Sequence, residues 1–362
     1  MRLLVAGFSV RHIACSAARA GHDVIAADSF CDLDLERCAS KSLLLNQDTA
    51  IQILPALIER HSPDALVLGP GLEETKVRGI RILNNPPELA AKVSDKLWLA
   101  RWLEERGFPF IKTYQEPSTD FIDFPMVIKP QKGAGGVGCR LVDSPDDLRW
   151  EEGLIIQEWV SGRPASVSVI GDGRDARAVA ANEQIIGASW AGAEDFRYSG
   201  NITPLEPDFP GLAVMAEEIV AELGLVGSNG VDFLLTENGP VVVEVNPRFQ
   251  GSLDTVELST GLNVFKAHLD SFQGILPKRP SPLNVNLGHQ RTAGRIIFYA
   301  PEDLRIASEL SIEGLADIPR PGALIISGDP IASILATGEN RADVINLLMD
   351  RAEQLCRALK AK

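Results

Sequence analysis

Short aliphatic runs alternate with amphipathic stretches over the first 90 residues. Strands are expected at Leu3–Ala6, Val24–Ala27 and Ala65–Leu68, with a turn at Gly7–Ser9 and a helix over Val10–Ala20. Strands that alternate with helices predict a parallel sheet. Glu88–Glu105 reads as one helix, with Gly107 beyond its end as at a C-cap. From residue 124 the strands follow one another directly. They fall at Phe124–Pro130, Cys139–Val142, Leu154–Val160, Ser166–Ile170, Arg177–Ala181, Gly230–Leu235 and Val241–Val245, which predicts a mostly antiparallel sheet. Leu212–Leu223 is an amphipathic helix and Ile202–Pro204 is irregular. A Pro-rich linker, Pro277–Pro282, leads to strands at Ala293–Tyr299, Ala323–Ser327 and Ile331–Ala336 and a closing helix over Arg341–Leu359. The pattern divides the chain into an N-terminal α/β part (1–90), a central part (91–276) and a C-terminal α+β part (277–362).

Val241-Val-Val-Glu-Val-Asn-Pro-Arg-Phe-Gln-Gly251 is the stretch around which the rest is organised. Its β-branched residues suit a buried strand. Side chains alternate faces along a strand, so Glu244 and Asn246 point the same way. Pro247 stops the ladder and Arg248 follows at the strand end. A carboxylate, an amide and a guanidinium gathered at one point suit a hard cation and the phosphates it carries. Glu237-Asn-Gly-Pro240 marks a hairpin turn before this strand. A two-residue turn at Asn238–Gly239 puts Phe233 opposite Glu244. A three-residue loop over Glu237–Gly239 puts Asp232 there, and this register is favoured because it gathers Asp232, Glu244 and Asn246 on one face. A lone carboxylate solvated at a sheet edge is the simpler alternative.

Lys129 closes the strand before the loop Gln131-Lys-Gly-Ala-Gly-Gly-Val-Gly138, which has four glycines in six residues and lets backbone N–H groups converge on an anion. No Gly-Lys-Ser/Thr ends it, so it is not a Walker A loop. The first βα turn, Gly-Phe-Ser-Val-Arg-His, lacks the Gly-x-Gly-x-x-Gly that a dinucleotide needs.

A formal charge of −14 over 362 residues argues against a nucleic-acid backbone as the main partner, though a nucleotide needs only a few local cations. No apolar run approaches the roughly 20 residues that span a membrane. The five scattered cysteines hold no Cys-x-x-Cys pair, which predicts reduced thiols, a cytoplasmic location and no zinc site.

Taken in order, Lys96, Ile128-Lys129 with its glycine-rich loop, Ile156-Gln-Glu-Trp-Val-Ser-Gly162, Val231-Asp-Phe233 and Val243-Glu-Val-Asn-Pro-Arg248 resemble the ATP-grasp superfamily. Pro319-Arg-Pro-Gly322 and Ile331–Gly338 are similar to the C-terminal region of its biotin-carboxylase branch, and the whole resembles the archaeal and bacterial ATP-dependent carboligase-like proteins. The resemblance implies an ATP-grasp fold, α/β and α+β in class, with an N-terminal parallel α/β (pre-ATP-grasp) domain and a C-terminal α+β domain. It implies that Lys96 and Lys129 contact the nucleotide phosphates, and that Gly133, Gly135, Gly136 and Gly138 close over them. Gln157, Glu158, Trp159 and Val160 would receive adenine. Asp232, Glu244 and Asn246 would hold Mg²⁺, with Mn²⁺ as the alternative ion, and Arg248, with Lys129, would stabilise the phosphoryl group in flight. Where the family commonly has a ribose-binding Glu, Pro164 and Ala165 stand here, which leaves the ribose contact unassigned.

The implied reaction is ligation of a small-molecule carboxylate to an amine or related nucleophile through an acyl phosphate, giving ADP and phosphate. Asn182, Glu183, Arg197 and Asn201 are the candidate substrate contacts, Arg197 for a carboxylate. A biotin-carboxylase-like enzyme activating bicarbonate and a nucleotide-binding regulatory protein without turnover are the alternatives. A homodimer is the expected assembly for an acidic ligase of this size.

Overall fold

The computed structural model describes residues 1–117, 123–278 and 291–360. Residues 279–282 of the expected linker lie outside them. Five strands form the N-terminal sheet: β1 (Arg2–Ala6), β2 (Asp23–Asp28), β3 (Lys41–Leu44), β4 (Ala65–Leu68) and β5 (Arg81–Ile82), in the order β3-β2-β1-β4-β5. All its pairings are parallel. Helices α1 (Arg11–Arg19), α2 (Leu33–Cys38) and α3 (Ala50–His61) are its crossovers. Leu3–Ala6 of β1 and Ala65–Leu68 of β4 are buried on both faces, which is why these strands read as continuous apolar runs and not as alternation.

The helix expected over Glu88–Glu105 is two helices, α4 (Pro87–Val93) and α5 (Lys96–Arg106). The break falls at Ser94–Asp95. The Asp95 carboxylate accepts from the backbone N–H groups of Leu97 and Trp98, each at 3.0 Å, so it caps a second helix instead of continuing the first. Gly107 ends α5 in the left-handed conformation.

A small antiparallel sheet follows: β6 (Thr113–Tyr114), β7 (Met126–Pro130), β8 (Arg140–Val142) and β9 (Leu154–Glu158), in the order β6-β9-β7-β8. The remaining long strands are β10 (Arg163–Asp172), β11 (Ala176–Ile186), β12 (Tyr198–Thr203), β13 (Val226–Thr236) and β14 (Gly239–Asn246), with α6 (Leu212–Glu222) between β12 and β13. Ile202–Thr203, expected to be irregular, completes β12. Helices α7 (Leu253–Thr260) and α8 (Val264–Ser271) come next, then β15 (Thr292–Tyr299), β16 (Leu304–Arg305), β17 (Leu315–Ala316), β18 (Leu324–Ile325), β19 (Pro330–Gly338) and α9 (Arg341–Lys360). The large sheet has eight strands in the order β14-β13-β10-β11-β12-β15-β19-β17. The C-terminal strands thus extend the central sheet through β12–β15 pairing.

One face of the large sheet is apolar. Ala165, Val167, Val169, Val231 and Phe233 pack there against α5 and α6. The opposite face carries the polar side chains, and α7 and α8 cover part of it. The same two helices join this sheet to α1 and β1 through Phe249, Val256, Phe265, Ile13 and Leu3.

A buried ionic junction ties four distant segments together. Arg11, at the start of α1, donates in parallel from Nη1 and Nη2 to Asp254 at 2.9 and 2.8 Å, and from Nε to Asp317 at 2.8 Å. Arg295 donates to the other oxygen of Asp317 at 2.8 Å. Burial opposes ionisation of Asp254 and Asp317, but Arg11 and Arg295 outweigh it and hold both carboxyls below their usual range.

The cysteines depart from expectation. Cys15 of α1 and Cys38 of α2 form a disulfide, with Cα atoms 4.9 Å apart. Cys31, Cys139 and Cys356 are free. Among the described residues no helix is long and apolar enough to cross a membrane.

Candidate active site

The β13–β14 hairpin sets the geometry. Asp232 pairs with Glu244, but not through a three-residue loop. Thr236 pairs with Gly239, so the turn is Glu237–Asn238, and the register then shifts between Asp232 and Phe233. Phe233 faces Val242 and Asp232 faces Glu244, which leaves Val243 as the extra residue of a β-bulge. The bulge lets Val242 and Val245, three residues apart, both enter the core.

At the strand end the side chains meet. Asn246 Nδ2 donates to Asp232 at 3.1 Å and to Glu244 at 3.4 Å, while its Oδ1 accepts from Arg248 at 3.1 Å. Lys96 Nζ lies 3.4 Å from Glu244 and donates to the Gly133 carbonyl at 2.8 Å. The two carboxyls divide their protons. Burial and the adjacent Glu244 push Asp232 well above the ordinary carboxylate range. Burial acts on Glu244 too, but Lys96, Lys129 and Arg248 outweigh it and keep Glu244 ionised. Lys129 is buried on β7, and that burial, offset in part by Glu244, brings its ammonium down to about 8.

The glycine-rich loop is seated on β12. Tyr198 N–H donates to the Gly135 carbonyl at 3.1 Å. A Cβ on Gly136 would lie 1.9 Å from the Phe196 carbonyl oxygen, so this glycine is required by the contact itself. The start of α5 is fixed to the loop as well. Gln131 donates to the Asp95 carboxylate at 2.8 Å, and the Lys96 N–H to the Gln131 carbonyl at 3.2 Å.

A cavity of about 640 Å³ opens at this point, walled by Lys96, Gly133, Glu244, Asn246, Arg248 and the 70–76 segment after β4. That segment contributes residues the sequence reading did not single out. Glu73 lies 2.8 Å from Arg248 Nε, and Glu74 accepts from Lys132 at 2.9 Å. The signal for them was position: in a parallel sheet, ligands bind outside the carboxyl ends of the strands.

The adenine-hinge candidates lie at the end of β9. Gln157 donates to Thr113 at 2.7 Å, Glu158 meets Lys112 and Tyr114 at 3.2 Å each, and Trp159 stands edge-on to Phe196. Pro164 and Ala165 are strand residues opposite Leu234 and Phe233.

The substrate candidates do not line the cavity, although Thr203 links Asn182 to Asn201. Asn182 is wholly buried, held by Ser166, Ser168 and Thr203. Asn201 is equally buried and donates to Thr203 and Thr255. Glu183 receives two hydrogen bonds from Arg341 at 2.8 and 2.7 Å. These three polar side chains satisfy the sheet interior and its packing, not the cavity wall. The Arg197 guanidinium stacks over Tyr299, 4.1 Å from the ring centroid.

The donor set fits a small hard cation. Among the described residues no three His, Cys, Asp or Glu side chains converge, so a metal here would rest on two carboxylates and one amide. Such a set suits Mg²⁺, which keeps waters and takes phosphate oxygens for its remaining positions. The Asn246 amide has its nitrogen toward the acids, so its oxygen becomes a ligand only after a half-turn.

Residues 93–252 match the family model described as the ATP-grasp domain. An uncharacterized protein of Methanocaldococcus jannaschii is 26% identical over 98% of this chain and 92% of its own length. The 3-methyl-D-ornithine–L-lysine ligase of Methanosarcina mazei is 28% identical over 41% of this chain and 39% of its own. Among solved structures, the biotin carboxylase of Campylobacter jejuni, a complex with an ATP analogue, superposes with a TM-score of 0.77 at 17% identity, covering 97% of this chain and 91% of that one. The chain thus carries an ATP-grasp domain over residues 93–252, and along nearly its whole length it shares the fold of that biotin carboxylase.

Proposed function

We propose that this protein is an ADP-forming ligase that joins a small-molecule carboxylate to an amine through an acyl phosphate. The supporting observation is the meeting of Lys96, Glu244, Asn246 and Arg248 with the glycine-rich loop around one cavity, with Asp232 hydrogen-bonded to Asn246 behind its wall. The physical problem is an anion approaching an anion. Lys96, Lys129 and Arg248 reduce that repulsion, and the seated loop keeps water from the activated carboxylate. Asp232, Glu244 and Asn246 would hold Mg²⁺, which neutralises charge on the transferring phosphoryl group when bound. The ligase named among the relatives supports this reading. The likeness to biotin carboxylase supports bicarbonate as an alternative carboxylate.

Melting temperature measured with AMP-PNP, with Mg²⁺ and with both tests the site. A ligand at about 100 times its dissociation constant stabilises by roughly 2.7 kcal/mol. The expected shift requires both components, and no shift with any nucleotide would overturn the reading. Phosphate release with a panel of carboxylates and amines, and with bicarbonate alone, then separates the two reactions.

Lys129 gives a pH signature. Its ammonium titrates near 8 in the free chain, and phosphates favour the charged form. AMP-PNP affinity is therefore expected to fall as pH rises above about 8, with proton uptake on binding. Calorimetry in buffers of different ionisation enthalpy reads the uptake directly, and pH-independent affinity from 7 to 9 would contradict the Lys129 contact.

A further inference from the structure

Arg248 and Lys132 are each paired with an acid from the 70–76 segment. The two pairs differ in environment. Lys132 and Glu74 are 49% and 38% exposed, a solvated pair of little energetic consequence. Arg248 and Glu73 are each 14% exposed and sit on the cavity wall. Only one oxygen of Glu73 is used. The other, Oε2, is buried and has no hydrogen-bond partner. A buried oxygen without a partner costs free energy, so the pair is only partly compensated as it stands. The remaining contacts of Arg248 are neutral: Asn246 Oδ1 and the Phe249 carbonyl, each at 3.1 Å.

We propose that Glu73 is a positioning residue for Arg248: it holds the guanidinium at the cavity wall in the free chain and yields it to the γ-phosphate of the nucleotide. The proposal rests on the nucleotide reading above. Glu73 and the γ-phosphate are competing anions for one cation, so removing the charge of Glu73 strengthens nucleotide binding instead of weakening it. A residue that merely supported the fold would weaken it or leave it unchanged. The gain must also depend on the γ-phosphate and on Arg248.

Calorimetric titration of the full chain with AMP-PNP, and separately with ADP, both with Mg²⁺, tests this. Glu73→Gln is expected to bind AMP-PNP about tenfold more tightly than the wild type, with ADP affinity held within about twofold. Glu73→Asp, which keeps the charge but shortens the reach, gives a smaller gain in the same direction and serves if the first variant does not fold. In an Arg248→Met background Glu73→Gln has no effect, and Glu74→Gln changes neither nucleotide. Equal AMP-PNP affinity in wild type and Glu73→Gln overturns the proposal. So does an equal gain for ADP, or a gain that survives the loss of Arg248. A wild-type chain that binds neither nucleotide overturns the nucleotide reading and this proposal with it, whereas binding without a Glu73 effect overturns this proposal alone.

Discussion

Glu244→Ala loses ATP turnover and keeps its fold. Two properties of the position give this expectation. Glu244 is the ionised member of the acid pair, held so by Lys96, Lys129 and Arg248 despite its burial. It is therefore the carboxylate that meets an incoming cation without first losing a proton. Removing a preorganised electrostatic group of this kind costs about 100- to 1,000-fold in turnover. The fold loses little. The substitution takes away the 3.4 Å contact to Lys96, but it also relieves Asp232 of the charge opposite it. A stability change within about 1 kcal/mol is expected. Phosphate release and thermal melting on the same preparation check both halves. Turnover within a few-fold of wild type would refute the metal-binding role of Glu244, and loss of the fold would show that the pair is structural.

Arg11→Met has the largest expected effect on stability. It removes one cation and leaves Asp254 and Asp317 buried with only Arg295 to answer them. Breaking a buried ion pair by removing one partner costs about 3–5 kcal/mol. Denaturant unfolding at neutral pH should show a loss of that size. The pH dependence has a definite sign. Both aspartates have folded-state values below the ordinary 3.8, so their contribution is present above 3.8 and is lost as pH falls below it toward the folded values. The gap between wild type and variant should therefore be full at pH 7 and narrower at pH 3. A gap that is constant, or that widens in acid, would show that packing rather than charge holds this junction.

The features legible in the sequence were those whose cause is local. Strands were readable from aliphatic runs, and the glycine-rich loop and the Glu244–Arg248 stretch from residue types at fixed spacing. The Asp232–Glu244 pairing was reached by the wrong turn, because a bulge at Val243 makes up the residue that a shorter turn removes. Nothing in Val-Val-Val distinguishes which valine is extruded; the core decides that. The break at Ser94–Asp95 was hidden for a related reason, since a short acid inside a helical pattern becomes a cap only when the next turn finds its own partners. Asn182 and Asn201 were candidate substrate contacts, yet their partners are hydroxyls on other strands and on α7, which only the sheet pairing brings to them. Arg11 and Asp317 lie 306 residues apart, beyond any pattern. Glu73 was missed because its meaning depends on Arg248, 175 positions away beyond the end of β14.

The Arg11 junction also bears on motion. It fastens α1, α7 and the strand region around Asp317 with charges that are costly to separate, so the N-terminal sheet, the eight-stranded sheet and its C-terminal extension turn as one body. Among the described residues the small sheet of β6–β9 has no such buried ionic fastening. The chain enters it through the Pro109 carbonyl, which accepts from Val242 N–H at 2.9 Å, and leaves it through Trp159–Gly162. Its other anchors include the contact of the glycine-rich loop with Phe196 and Tyr198, the bonds of Gln131 and Gly133 to Asp95 and Lys96, and the solvated Lys132–Glu74 pair. Hydrogen bonds and one solvated pair cost less to separate than the Arg11 junction, so the small sheet is the part of the molecule held at least cost to displacement.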